Sequence, residues 1–190
     1  NLNVSGVPKI LKKTIYPFKY NDFNSLKRIV KKNNIGIIKM EVVRNELPKN
    51  KFLKKVRDLA DKNNIILIFD ECTTGFRQTF GGIHKLYNVN PDLLILGKAL
   101  GNGYAITAIL GKKDLMNCIN KTFVSSTFWT ERIGPTAALK TLEVMEKEKS
   151  WKTITNIGNL IIKGWKRLAK KHGLKLSLIN ISEPTRLRRK

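Results

Sequence analysis

Two residues with reactive side chains follow short apolar segments of this sequence. Asp70 closes the run IILIF at 65–69, and Lys98 follows the run LLIL at 93–96 and one glycine. A lysine in a glycine-rich turn allows close approach of a ligand, and its amine becomes a Schiff-base nucleophile once it loses its proton. A buried carboxylate is costly alone and is stabilised by a cation. The pair indicates covalent chemistry on a positively charged ligand, although such residues also end many strands for capping or solubility.

The segments around these residues alternate between helical and strand patterns. Apolar residues three or four apart predict helices over 22–33, 52–63, 136–148 and 152–171. Apolar runs predict strands over 35–40, 65–69, 93–96 and 105–110. Unbroken apolar strands between helices are typical of a mainly parallel α/β sheet covered on both faces. Ligands of such sheets bind at the carboxyl ends of strands, where Glu41, Asp70 and Lys98 stand.

Charge and composition narrow the class of protein. The formal net charge is +23, but the basic residues are spread along the whole chain, which favours a solvated surface over a nucleic-acid partner. A basic nucleic-acid-binding module is kept as a remote alternative. No apolar run approaches the ~20 residues of a membrane span, and no signal-peptide pattern is present, so a cytoplasmic protein is expected. Cys72 and Cys118 have no metal-ligand spacing, and reduced thiols and no metal site are expected.

Longer stretches around the two reactive residues resemble one enzyme family. Residues 68–77 read IFDECTTGFR, residues 90–93 read NPDL, and residues 97–103 read GKALGNG. In order and spacing they are similar to the segment of class III aminotransferases that leads from the cofactor-binding aspartate to the cofactor-binding lysine. The resemblance implies an α/β fold, the large domain of a fold-type-I transferase that depends on pyridoxal 5'-phosphate (PLP), with a mainly parallel sheet.

The resemblance implies a role for each matching residue. Lys98 matches the lysine that holds PLP as a Schiff base, and Asp70 matches the aspartate that bonds the pyridine nitrogen. Cys72 matches the small apolar position that packs against the cofactor ring. Thr130 matches the threonine that reaches the phosphate of the partner subunit's cofactor. Thr127 competes with it, because residues 126–135, STFWTERIGP, depart from the family's glycine-asparagine-proline version.

Other polar residues keep two interpretations. Glu41 matches a strand-end glutamate of the family, but its usual proline neighbour is Val42 here, so a structural and an active-site role both stand. Arg77 is a candidate to grip a substrate carboxylate, although the family motif favours a role in bracing its loop. His84 and His172 are expected at the surface or in loops.

The implied reaction is transamination between a small-molecule amino donor and a carbonyl acceptor, in a homodimer with shared active sites. The alternative is the intramolecular transfer of glutamate-1-semialdehyde 2,1-aminomutase, which would use the same lysine and aspartate. Residues 104–106, YAI, stand where the aminomutase has a proline-containing run, and this favours an aminotransferase.

The resemblance also predicts a domain organisation. Members of the family are usually more than twice as long, so the chain resembles a piece truncated at both ends. Residues 1–148 are predicted to be part of the PLP-binding large domain, and residues 149–175 the start of a C-terminal domain. Residues 176–190 resemble the translation of a sequencing adapter and are excluded from the fold.

Overall fold

The computed structural model describes residues 6–11, 13–43, 46–128 and 130–176. Its helices and strands are α1 Phe23–Lys32, β1 Ile37–Met40, α2 Phe52–Lys62, β2 Ile66–Asp70, β3 Leu93–Leu96, β4 Ala108–Gly111, α3 Lys113–Met116, α4 Ile133–Glu148 and α5 Ser150–Lys171. Short 3₁₀ turns cover Lys9–Leu11, Ile83–Tyr87, Lys98–Leu100 and Asn117–Lys121. The predicted adapter-like tail lies, from residue 177 onward, outside the described residues.

The four strands form one sheet in the order β1-β2-β3-β4. β1, β2 and β3 are parallel, and β4 is antiparallel to β3. The predicted α/β fold with a mainly parallel sheet is thereby confirmed. β4 begins three residues later than predicted, because residues 105–107 pack against the start of α4: a Cβ on Gly134 would lie 3.0 Å from the Ala105 carbonyl oxygen.

Local sequence signals set the helix ends. The Asp22 side chain caps α1 by accepting a 2.9 Å hydrogen bond from the Ser25 amide. α4 carries Pro135 in its first turn, where a missing N–H is tolerated. Lys149, with φ of 50°, separates α4 from α5. The predicted domain boundary after residue 148 coincides with this break and stays a prediction. None of the described helices is both long and apolar enough to cross a membrane.

Helices cover one face of the sheet. Ile38, Met40, Leu67 and Phe69 are buried in one core with residues of α1 and α2. α4 adds Ala138 and Met145 to a second cluster around Leu96 on the same face. The opposite face, called the open face below, is only half buried in the described residues, although both faces were expected to be covered. By strand register and alternation it carries Ile37, Lys39, Ile66, Ile68, Asp70, Leu93, Ile95 and Ile109.

The buried carboxylate of Asp92 contacts β2, α2 and the residue that follows β4. Its Oδ2 accepts hydrogen bonds from the Leu67 amide at 2.7 Å and from Arg57 Nη1 at 2.9 Å, and its Oδ1 lies 2.6 Å from Lys112 Nζ. Burial alone would raise the pKa of Asp92, but these three donors together hold it below its ordinary value. One buried carboxylate therefore links β2 to α2 and to the end of β4.

Candidate active site at the carboxyl edge of the sheet

The carboxyl ends of the three parallel strands meet at one edge, as the sequence predicts. Glu41 follows β1 and is half-buried, Asp70 ends β2, and Lys98 begins the turn one residue after β3. The backbone closes this edge, since the Glu71 amide donates a 2.8 Å hydrogen bond to the Ile95 carbonyl. Asp70 and Lys98 are thus brought to neighbouring strand ends by the parallel pairing of β2 and β3.

Asp70 is held by two donors. Its Oδ2 lies 3.0 Å from Lys39 Nζ on β1, and its Oδ1 accepts a 3.3 Å hydrogen bond from the Cys72 amide. Partial burial alone would raise the pKa of Asp70, but Lys39 and the Cys72 amide together bring it below its ordinary value. The carboxylate is therefore ionised at neutral pH and can accept a proton-bearing, positively charged ligand group.

Lys98 presents its amine at the surface of the edge. The ammonium donates a 2.7 Å hydrogen bond to Thr73 Oγ1, and the side chain is exposed. Its φ of 46° lies in the left-handed region, which is sparsely populated by residues other than glycine. Gly101 permits this tight turn, because a Cβ there would lie 2.2 Å from the Tyr104 carbonyl oxygen. The turn fixes the lysine beside the residues that follow β2.

Cys72 lies between the aspartate and the lysine. A Cβ on Gly97 would lie 3.2 Å from Cys72 Sγ, so the chain after β3 passes close against the thiol. Burial raises the pKa of the Cys72 thiol, and the Asp70 charge raises it further, against the opposing charges of Lys98 and Lys39. A protonated thiol is a small neutral side chain and a weak nucleophile. Its place matches a packing role better than a reactive one.

A buried pair that the sequence analysis missed anchors the loop behind this site. Glu71 is fully buried and its Oε1 lies 2.7 Å from Nδ1 of His84, which is 6% exposed. His84 was expected at the surface or in a loop; it lies in the loop, within the turn Ile83–Tyr87, but it is buried there because its ring donates to this carboxylate. Gly82 makes room for the pair, since a Cβ there would lie 2.4 Å from His84 Nδ1. Strand alternation could have found it, because Glu71 must face away from Asp70.

Within the described part of the chain, the remaining candidate residues form no hydrogen bond or ion pair with Asp70 or Lys98. Thr127 and Thr130 are exposed in the segment before α4, and neither makes a hydrogen bond to Asp70 or Lys98. The chain by itself leaves the choice between the two threonines open. Arg77 is exposed and lines a cavity of about 460 Å³ between the 99–104 turn and α4. No three described His, Cys, Asp or Glu side chains group as a metal site.

The donor set fits the cofactor that the sequence resemblance implies. PLP requires an amine for its aldehyde, an ionised carboxylate for its ring nitrogen and an uncharged surface for its ring. Lys98, Asp70 and Cys72 supply these three groups at one edge of the sheet. The backbone at Gly97, after β3, also passes so close to Cys72 that it leaves no room for a side chain there.

Comparisons with known proteins identify the family. The family model described as "Aminotransferase class-III" matches residues 15–178. The 3-aminobutyryl-CoA aminotransferase of Cloacimonas acidaminovorans is 42% identical over 153 residues, covering 76% of this chain and 37% of that protein. The glutamate-1-semialdehyde 2,1-aminomutase of Sulfolobus acidocaldarius is 37% identical over 170 residues, covering 85% of this chain and 40% of that protein.

Solved structures agree with this match. The FumI protein of Sphingopyxis sp. MTA144, in its PLP internal aldimine form, superposes with a TM-score of 0.81 at 26% identity, covering 85% of this chain and 41% of that chain. The chain thus spans about two fifths of the length of the relatives it matches. Class III aminotransferases depend on PLP. On the family match and the shared fold, this chain belongs to the class III aminotransferase family.

Proposed function

We propose that the full protein carrying this chain is a PLP-dependent aminotransferase. It would move an amino group from a small-molecule donor to a carbonyl acceptor, with Lys98 and Asp70 as its central residues. The observation that carries the proposal is the grouping of an exposed amine, an ionised carboxylate and a neutral thiol at one strand edge. The family's activity supports the reaction class.

Lys98, Thr73 and Asp70 would have distinct roles in the reaction. PLP, when bound, supplies an aldehyde that condenses with amines and a ring that accepts the electron pair released at the substrate's α-carbon. The Lys98 amine is the covalent anchor and then moves the proton at the substrate's α-carbon, first as a base and then as an acid. Thr73, 2.7 Å from that amine, orients it. Asp70 stays ionised and holds a proton on the ring nitrogen.

The test of the site is chemical labelling. The full-length protein is incubated with PLP, reduced with borohydride, digested and mapped by mass spectrometry. A phosphopyridoxyl group on Lys98 is expected, and the variant Lys98→Ala should carry none while keeping its fold. Lys113, exposed at the start of α3, provides a matched control, because Lys113→Ala should label as the wild type does. A label on another lysine of the folded wild type would refute the assignment.

The substrate class is a separate question. The relative named 3-aminobutyryl-CoA aminotransferase makes β-amino acyl thioesters the first donors to assay. The relative named glutamate-1-semialdehyde 2,1-aminomutase supports the second candidate, an intramolecular transfer. Turnover of the semialdehyde with no second amino donor would decide for the aminomutase. Amino transfer that depends on a separate donor would decide for the aminotransferase.

The assembly and location are also part of the proposal. We expect a cytoplasmic homodimer in which Thr130, or its competitor Thr127, reaches the phosphate bound by the other subunit. Both threonines are exposed in this chain, as a contact between subunits requires. Thr130→Val and Thr127→Val are compared for PLP affinity in the full-length dimer, and the variant with the weaker affinity identifies the phosphate ligand. A monomeric holoenzyme would contradict the shared site.

A further inference from the structure

The open face of the sheet carries one charged pair among apolar residues. Lys39 stands in β1 between Ile38 and Met40, opposite Ile68 of β2. Asp70 lies two residues beyond Ile68 and so on the same face. The Lys39 ammonium reaches Asp70 Oδ2 at 3.0 Å, with 57% of the lysine and 26% of the aspartate side chain exposed.

The charges around Asp70 can be traced element by element. β1 contributes Lys39, the segment after β2 contributes the Cys72 amide and thiol, and the turn after β3 contributes Lys98, which faces Cys72 and is hydrogen-bonded to Thr73. Within the described residues Lys39 is the one cation in ion-pair contact with Asp70. The Asp70 carboxylate, which in the proposed function binds the protonated ring nitrogen of the cofactor, therefore already has a cationic partner.

We propose that Lys39 is a resident counter-ion of Asp70, a positioning residue that competes with the ring nitrogen of PLP for this carboxylate. The inference rests on the proposed function of Asp70. Each carboxylate oxygen accepts two hydrogen bonds, so both cations can be held at once, but their charges repel across the shared acceptor. Lys39 thereby satisfies the carboxylate before the cofactor binds and weakens the attraction for a protonated ring.

The competition predicts that removing the Lys39 charge raises the affinity for PLP. In the full-length protein, Lys39→Met should bind PLP more tightly at pH 7.5 and low salt, by about two- to fivefold, the scale of a solvent-accessible ion pair. The gain should shrink as ionic strength rises, because salt screens the repulsion. Lys39→Arg keeps the charge and should bind as the wild type does. Lys31→Met, which removes an exposed lysine at the end of α1, controls for net charge.

Acidification gives a second readout. Burial alone would raise the pKa of Asp70, and Lys39 is the largest of the groups that lower it. Affinity that depends on the ionised carboxylate is present above the pKa of Asp70 and is lost as pH falls through it. Without Lys39 that pKa rises, so Lys39→Met should lose PLP affinity at a higher pH than the wild type. A merely structural role would instead weaken binding at every pH.

The experiment is an equilibrium titration of apoprotein with PLP and with its analogue in which CH replaces the ring nitrogen, followed by absorbance. Tighter binding of PLP, but not of the analogue, to Lys39→Met is expected. Unchanged or weaker binding of PLP, or equal tightening for the analogue, would overturn the inference. Borohydride labelling of the wild type separates the two proposals: labelled Lys98 with no gain in Lys39→Met sinks this inference alone, and absence of any label sinks both.

Discussion

Replacing Glu71 by glutamine tests whether the buried pair behind the site holds the loop in place. Glu71 Oε1 accepts hydrogen bonds from the His84 amide at 3.1 Å and from His84 Nδ1 at 2.7 Å. Its Oε2 accepts bonds from the Ile83 amide at 2.5 Å and from Thr74 Oγ1 at 3.1 Å. Four donors thus converge on one fully buried carboxylate. The loop they close carries Cys72, which lies directly after Glu71.

The magnitude follows from the chemistry of the amide. Glutamine keeps the shape of Glu71, but one end of its side chain is a donor. Whichever oxygen the NH₂ replaces, it meets a backbone N–H, that of His84 at one end or that of Ile83 at the other. A buried donor left without an acceptor costs about 1–3 kcal/mol, and each hydrogen bond to a charged acceptor is worth about 1.5–3 kcal/mol. We expect a loss of about 3 kcal/mol in the local stability of the loop.

Hydrogen exchange measures this loss where it occurs. A change of about 3 kcal/mol corresponds to exchange more than about a hundredfold faster, since about 1.4 kcal/mol is a factor of ten. We expect this acceleration for the amides of Ile83 and His84 in the full-length Glu71→Gln protein. Glu146→Gln, on an exposed position of α4, is the matched control and should exchange as the wild type does. Amides that exchange equally in both variants would refute the reasoning.

Acid provides an independent check on the same residue. Burial alone would raise the pKa of Glu71, but the hydrogen bonds from His84 and Ile83 together place it below its ordinary value. A group whose pKa is lower in the folded than in the unfolded state stabilises the fold. This stabilisation is complete above the pKa of the unfolded state and is lost as pH falls through the pKa of the folded state. The wild type should therefore lose more loop protection on acidification than Glu71→Gln, which does not titrate. Parallel acid profiles would contradict an ionised Glu71 carboxylate.

Substitutions at three further positions test the fold and the turn in the full-length protein. The Cβ of Gly101→Ala must displace the Tyr104 carbonyl, at a strain of about 1–3 kcal/mol. PLP affinity should therefore fall about tenfold. A titration showing wild-type affinity would contradict the tight turn. Asp92→Asn removes the negative charge between two cations and should lower the free energy of unfolding by about 3 kcal/mol, measured as a lower urea midpoint. Phe69→Ala should cost about 3–5 kcal/mol and Phe69→Leu under about 1.5 kcal/mol, and equal losses would argue against a fully buried ring.

Most of the secondary structure could be predicted, because its signals are local. The apolar periodicity of 22–33 and the Asp22 cap predict α1, which the structure has as Phe23–Lys32. The apolar runs that end at Asp70 and before Lys98 predict β2 and β3, both confirmed. The predicted strand over 105–110 was displaced, because contacts with α4 compete with strand pairing over residues 105–107. The periodicity of apolar residues carries no information about such a competition between contacts.

The coverage of the sheet shows another limit. Unbroken apolar strands predict burial on both faces, yet Ile37 and Ile109 on the open face are 55% and 53% exposed. The apolar pattern is consistent with a longer protein, since the chain spans about two fifths of the relatives it matches. We expect the remainder of the full-length protein to bury these side chains. Hydrogen exchange and solvent labelling of the full-length protein at β1 would test this.

The sequence by itself determined the family, the strand-end positions of Asp70 and Lys98 and the cofactor they imply, because those signals lie in contiguous motifs. The tertiary structure alone decided which polar side chains meet. Lys39 reaches Asp70 through the register of two parallel strands, and His84 reaches Glu71 through a loop that closes over 13 residues. Such pairs depend on strand register, loop closure and packing, which a local pattern of residue types does not encode.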